Sequence, residues 1–321
     1  MSQQSIPVID IMSLYGSDQS AIAETAAKIG QACRGIGFFY IKGHALSPEE
    51  IADLFSTAQK FFALPEVMKK QVEISPNTGN RGYVPMRGEA LDPSRPADLK
   101  EAYNMGLELA VDDPELVAGA KFRALNLWPD QPGFRQAMLD YFETALDIGR
   151  RLHMAFATDF GLPNSFFEDK LNRPLATLRL LHYPPQPDVV EKGQMGAGAH
   201  TDYGCVTLLL TDEVGGLEVR TRSGEWIKAP YMPGAFICNI GDCLMRWTND
   251  IYTSTPHRVV SPAGRERYSI AFFLDPNPDA VIECLPPCNS ADNPPRYDPI
   301  RGDDYLESRL NPTYQASGLV K

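Results

Sequence analysis

A chain of 321 residues that is 43 % hydrophobic and 22 % charged has enough apolar material for a large packed core, which excludes a disordered or fibrous protein. Its 30 Lys and Arg against 41 Asp and Glu give a formal net charge of -11. Such a field repels phosphate backbones and anionic lipid surfaces, so neither nucleic acid nor membrane is expected as a partner. Cys33, Cys205, Cys238, Cys243, Cys284 and Cys288 form no C-x-x-C pair and read as the reduced thiols of a cytoplasmic protein. The first residues lack the basic and apolar segments of a secretion signal, and no apolar run approaches the roughly 18 residues needed to cross a bilayer.

In chain order, residues up to about 170 read mainly as helices with a few short strands. Ile6 to Ile11 is a short apolar run, and Gly37 to Ile41 is aromatic and β-branched, as a strand should be. Between them, Ile22, Ala26, Ile29 and Cys33 fall on one side of a helix over 20–34. Ser47, Pro48 and Glu50 make a helix start, with a Ser cap, Pro at the first helical position and Glu three residues after the cap. That helix carries Ile51, Leu54, Phe55, Ala58 and Phe62 and stops at Leu64-Pro65. The longest helix begins near Asp130 and shows Met138, Phe142, Ala145, Ile148, Leu152 and Phe156 before Gly161 ends it.

From about Ala176 the pattern changes to short β-rich runs about a dozen residues apart, separated by Pro, Gly and Asn turns. They are Thr177 to Tyr183, Cys205 to Thr211, Leu217 to Thr221, Ala235 to Asn239, Thr255 to Ser261 and Arg267 to Leu274. This spacing suggests an antiparallel sandwich or barrel such as a jelly roll. The tail after Pro276 is rich in Pro, Asn and Asp, with a helix expected at Asp303 to Leu310.

Among five histidines, two fall in the β-rich half beside plausible partners. In a strand, His200 and Asp202 of His200-Thr-Asp-Tyr-Gly204 would point to one face and offer a nitrogen and a carboxylate oxygen to one point. His257, in Thr255-Pro-His-Arg258, could join them. Two histidines and one carboxylate on one face of an octahedron are the ligand set of non-haem Fe(II) oxygenases, and zinc could use the same ligands. Arg267, Ser269, Ala271 and Phe273 share a face of the last run, so a guanidinium and a hydroxyl stand ready to clamp a carboxylate. A hairpin through Pro262 to Gly264 is expected to place that clamp beside His257. His44, His153 and His182 read as structural, and Cys205 as a small core residue.

These motifs together resemble the 2-oxoglutarate and Fe(II)-dependent oxygenase superfamily, in its isopenicillin N synthase-like branch. Similar segments run through nearly the whole chain: Ile6 to Ile11, Gly37 to His44, Phe61 to Pro65, Gly82 to Pro85, Gly215 to Val219 and Asn239 to Asp242. Ala197-Gly-Ala-His200 also resembles the bacterial ethylene- and succinate-forming oxygenase, which leans the similarity towards bacteria. Ser269 and Leu181-His182-Tyr183 depart from that relative, so its ethylene activity is not carried over.

The resemblance implies a mainly β fold with α, a double-stranded β-helix (jelly roll, cupin-like) core with a helical N-terminal region. It implies one structural unit over 1–321, with an N-terminal dioxygenase region at 5–125, a scaffold helix at 130–162, the oxygenase core at 174–278 and a tail at 279–321. His200, Asp202 and His257 would bind Fe(II); Arg267, Ser269 and Tyr183 would hold 2-oxoglutarate, with O2 as the second co-substrate. Arg179, Tyr203, Asn239, Phe273 and Glu89 would contact the substrate or stand behind the metal. The implied activity is oxidation of a small molecule with decarboxylation of 2-oxoglutarate to succinate. The alternatives are an oxidase that does not use 2-oxoglutarate, an ethylene- and succinate-forming enzyme, and a non-catalytic metal-binding sensor. Substrate choice is expected to lie in loops near residues 82–105 and in the C-terminal tail.

Overall fold

The computed structural model describes residues 5–89, 97–185, 195–260 and 264–317. Its helices are α1 (Gln19–Arg34), α2 (Pro48–Phe62), the single turns α3 (Glu66–Lys69) and α4 (Pro114–Val117), α5 (Phe134–Asp159), α6 (Asp242–Trp247) and α7 (Gly302–Ser317). The strands of the two main sheets are β1 (Val8–Asp10), β2 (Phe38–Lys42), β3 (Gly82–Val84), β4 (Glu101–Gly106), β5 (Thr177–Tyr183) and β6 (Ala197–His200). β7 (Val206–Thr211), β8 (Leu217–Arg220), β9 (Trp226–Lys228), β10 (Phe236–Ile240), β11 (His257–Val259) and β12 (Arg267–Leu274) complete them.

Local chemistry accounts for the helices. Ser47 and Glu50 close a full capping box, with Glu50 N donating to Ser47 Oγ at 3.2 Å and Ser47 N to Glu50 Oε2 at 2.7 Å. Such a cap stabilises a helix start by about 1 kcal/mol. α5 buries the stripe read from its sequence, from Met138 through Phe156. It lies close to the large sheet because position 149 is glycine: a Cβ there would come within 2.6 Å of Leu274 Cδ2.

The strands form an eight-stranded sheet in the order β1-β2-β10-β7-β12-β5-β4-β3 and a four-stranded sheet in the order β6-β11-β8-β9, the two halves of a jelly-roll core. One face of the large sheet meets the helices, with Leu178, Leu180, Leu208, Ile270 and Phe272 packed among residues of α1, α2 and α5. The other face turns towards the small sheet, and Tyr183, Leu181 and Ala271 cluster with Leu217, Val219 and Val259. Side chains alternate between faces along a strand. Thus β12 sends Ile270, Phe272 and Leu274 to the helices and Arg267, Ser269, Ala271 and Phe273 to the interior.

Three expectations are corrected here. β11 and β12 do not form a hairpin: β11 pairs with β6 and β8, while both edges of β12 are taken by β5 and β7. The chain therefore crosses between sheets, and Pro262 and Ala263 of the expected turn lie outside the described residues. β6 ends at His200, so Asp202 reaches its position through a loop rather than by strand alternation. Residues 82–105 are not wholly loop, because β3 and β4 extend the large sheet, with β4 buried along its whole length.

Candidate metal and co-substrate site

His200 and His257 stand directly opposite each other on the antiparallel pair β6 and β11. Their ring centroids are 4.4 Å apart. Each ring is oriented from behind by a backbone carbonyl, with Nδ1 of His200 2.7 Å from Gly198 O and Nδ1 of His257 3.1 Å from Thr255 O. Nδ1 is then the donor, and Nε2 presents its lone pair forward, as a metal ligand requires. Phe38 packs edge-on against His257 at 5.3 Å.

Asp202 supplies the third atom. Its Oδ2 accepts from Thr207 Oγ1 at 2.5 Å and Asn239 Nδ2 at 2.7 Å. Its Oδ1 lies 3.7 Å from His200 Nε2 and 3.6 Å from His257 Nε2. The loop holding Asp202 rests on the start of α6, where Asp242 N donates to Asp202 O at 2.8 Å and Cys243 N to Gly204 O at 3.1 Å. Gly241 permits this contact, since a Cβ there would come within 2.2 Å of Gly204 O.

The three side chains are the group among the described residues whose ligand atoms converge, all within 4.8 Å. Burial, reinforced by neighbouring His257, pushes the His200 pKa down to about 3, so the imidazole stays neutral. Burial works against the Asp202 carboxylate, yet His257, His200, Thr207 and Asn239 together hold it below the usual carboxylate range. One carboxylate oxygen and two imidazole nitrogens suit a divalent first-row metal. The donor set therefore fits Fe(II).

The clamp residues lie on the large sheet facing the same cavity of about 200 Å³. Arg267 is fully buried and opposite Tyr183 in the β12–β5 register, its guanidinium 4.7 Å from the centre of the Tyr183 ring. Its Nε donates to Gly215 O at 2.6 Å and its Nη1 to Ser269 Oγ at 3.1 Å. Its Nη2 is buried and has no hydrogen-bond partner among the described residues. A buried guanidinium left one bond short is costly unless an anion completes it, so the clamp fits a carboxylate such as one end of 2-oxoglutarate.

The remaining sequence candidates divide. Arg179 and Phe273 line the cavity, as alternation along β5 and β12 requires. Glu89 is not a solvated loop residue: it pairs with Arg179 at 2.5 Å and lies 3.6 Å from Lys100. Burial alone would raise its pKa, but Arg179 and Lys100 bring it down to about 2. Tyr203 packs its ring against Arg309 of α7 and accepts from Tyr305 through its carbonyl. His182 faces the helices, held between Glu101 and Glu266 and stacked on Tyr268. His153 bonds Gly149 O inside α5, and His44 lies 2.9 Å from Gly234 O.

Thr207, Lys100, Phe122 and the α7 residues Leu306 and Leu310 also line the cavity, although no sequence motif singles them out. Only Thr207 carried a usable signal, five residues beyond Asp202 on the next strand.

Comparison with known proteins agrees with this geometry. Residues 6–131 match the family model of the non-haem dioxygenase N-terminal region named for morphine synthesis, and residues 174–276 match the 2OG-Fe(II) oxygenase superfamily model. A 2-oxoglutarate-Fe(II) type oxidoreductase of Emericella nidulans is 38 % identical, over 100 % of this chain and 94 % of its own length. A homoarginine-6-hydroxylase of Oryza sativa is 36 % identical, over 89 % of this chain and 90 % of its own. The crystal structure of a full-length Neurospora crassa protein in complex with alpha-KG superposes with a TM-score of 0.87 at 35 % identity, covering 96 % of both chains. The same Neurospora protein with alpha-KG and thymine gives 0.86 at 34 %, covering 96 % of this chain and 97 % of that one. The chain therefore belongs to the 2-oxoglutarate- and Fe(II)-dependent oxygenase superfamily, as a non-haem iron dioxygenase that oxidises a small molecule with 2-oxoglutarate and O2.

Proposed function

We propose that His200, Asp202 and His257 ligate the Fe(II), and that Arg267 and Ser269, with Tyr183 as a third donor, hold the distal carboxylate of 2-oxoglutarate. Arg179, Glu89 and Phe273 then face the substrate, while Asn239 and Tyr203 stand behind the metal loop. The observation that carries this reading is the buried Nη2 of Arg267, without a hydrogen-bond partner among the described residues, beside Ser269 and in the same cavity as the three converging ligand atoms.

Bound iron, with 2-oxoglutarate and O2, supplies the oxidising power, and 2-oxoglutarate leaves as succinate and CO2. The chain's own residues do the rest. Thr207 and Asn239 tie down one oxygen of Asp202 so that the other faces the metal position. The carbonyls of Gly198 and Thr255 fix both imidazole tautomers. Leu181, Ala271 and Phe273 give the cavity apolar walls that exclude water.

The relatives act on or bind different small molecules, thymine and homoarginine by their names, so both compounds belong in the first substrate screen. Placement in the isopenicillin N synthase-like branch rests on the motifs His200 to Gly204, Thr255 to Arg258 and Arg267 with Ser269. The bacterial lean rests on Ala197 to His200, whereas the relatives named above are fungal and plant. Free cysteines, five of them buried, favour a reducing, cytoplasmic compartment. We read residues 5–125, 130–162, 174–278 and 279–321 as parts of one unit that builds a single site.

The test is an anaerobic titration with Fe(II) and then 2-oxoglutarate, watching the visible charge-transfer band of the chelate. A band that saturates with one equivalent is expected. Iron binding without a band would remove 2-oxoglutarate from the Arg267 clamp.

A further inference from the structure

Beyond the residues assigned above, the cavity is lined by Phe122, Leu175, Leu306 and Leu310, none of them on either main sheet. Phe122 has φ 60, in the left-handed region where a bulky side chain is an outlier. Such strain persists only where the surroundings impose it, and it concentrates at ligand sites. The surroundings here are on both sides. Arg123 is buried and anchored to Pro174 O at 3.1 Å, to Arg173 O at 2.5 Å and to Glu115 at 2.9 Å. Lys121 pairs with Asp304 at 2.9 Å and Glu307 at 2.7 Å, both on α7. Relaxing φ at Phe122 would pull one of these anchors from its partner.

A second loop interlocks with this one. Gly79 and Asn80 are also left-handed, at φ 56 and φ 64, and a Cβ on Gly79 would come within 2.7 Å of Ala124 Cβ. Gly79 and Asn80 line the same cavity as Phe122. The strained Phe122 loop, the Gly79–Asn80 turn and one turn of α7 thus meet at this cavity, with Phe122, Leu306 and Leu310 as its apolar side chains there.

Charged side chains line the cavity as well. The lining cations are Arg81, Lys100, Arg179 and Arg267, against the acids Glu89, Asp202 and Asp275. Glu89 is engaged by Arg179, and Asp202 belongs to the ligand group. Burial, with the nearby Asp202, pushes the Asp275 carboxyl up to about 7. Arg179 and Lys100 are engaged in turn, by Glu89 and Asp98.

We propose that Phe122, with Leu306 and Leu310 of α7, is a specificity wall that seats an uncharged, ring-sized apolar part of the substrate. The inference rests on the reading of this cavity as the oxygenase site.

The test uses the full chain loaded anaerobically with Fe(II) and 2-oxoglutarate. Indole, thymine and L-homoarginine are titrated as probes, with binding read by equilibrium dialysis and the chelate band read in parallel. At least one ring compound binds more tightly than L-homoarginine. Phe122→Gly weakens ring binding about tenfold or more, the loss expected for one aromatic contact, and leaves the chelate band unchanged. Because glycine accepts φ 60 without strain, Phe122→Gly melts no lower than the parent, which separates lost binding from lost folding. Leu306→Ala, which leaves the strained loop alone, weakens the same probe in the same direction. Tighter binding of L-homoarginine than of both rings, absence of ring binding to the parent, or ring binding unaffected in both variants overturns the wall. A parent protein without the chelate band overturns the co-substrate reading instead, and only with the band present does the ring result judge the wall.

Discussion

The two ends of the cavity differ in how far the protein satisfies its own polar atoms. At the metal end each histidine has its rear nitrogen bonded to a carbonyl, and Asp202 has one oxygen doubly bonded, so only the ligand atoms face forward. At the clamp end Arg267 uses two of its nitrogens on protein partners and keeps a third buried, with no hydrogen-bond partner among the described residues. In the proposed site the metal end is preorganised by hydrogen bonds from behind, whereas the clamp end keeps a buried guanidinium nitrogen for a bound anion to complete. The first arrangement costs the apoprotein little, and the second costs it stability until the ligand arrives.

Replacing a ligand should give the largest effect. His257→Ala, like His200→Ala or Asp202→Ala, is expected to abolish turnover and to weaken Fe(II) binding well beyond the roughly 10–100-fold typical of an outer hydrogen-bond partner. Equilibrium metal binding measured beside succinate release checks this, and a variant that keeps substantial activity would leave the ligand set.

Arg267→Leu sharpens the contrast between the ends. It should weaken 2-oxoglutarate binding by about 10–100-fold, the loss of a charge-assisted hydrogen bond, while Fe(II) binding stays unchanged. The apoprotein should unfold at an equal or higher urea concentration, because a buried, incompletely paired charge has been removed. Lower apoprotein stability would show that the clamp is already satisfied without ligand.

The smallest effect tests the metal end from behind. Asn239→Leu removes one of the two hydrogen bonds on Asp202 Oδ2. It should cost about tenfold in Fe(II) affinity and leave 2-oxoglutarate affinity at saturating iron unaltered. Isothermal titration of each ligand in turn measures both.

The sequence made much of this legible, for identifiable reasons. The capping box at Ser47 and the stripe of α5 are local, and both appear where the spacing puts them. The interior face of β12 follows from period-two alternation, which brings Arg267 and Ser269 to one side. β3 and β4 were not legible, because β4 is buried on both faces and has no alternation to read. The hairpin expected from Pro262 to Gly264 failed because turn chemistry is local, while strand pairing depends on which edges are free; both edges of β12 were taken. Glu89 was a candidate through the family resemblance alone, and only its contact with Arg179, 90 residues away, shows it to be part of an ion pair in the cavity.

By itself the sequence determined which chemical groups are present and their order along the chain: two imidazoles, a carboxylate, a guanidinium and a hydroxyl within a β-rich half. Tertiary structure decided their meeting. His200 faces His257 only through the register of β6 against β11, and Asp202 turns towards both only because its loop rests on the start of α6. The wall of Phe122, Leu306 and Leu310 draws on two distant segments of the chain. Local spacing encodes a helix or the face of a strand, but register and loop docking are set by contacts between distant residues, and those exist only once the sheets have closed.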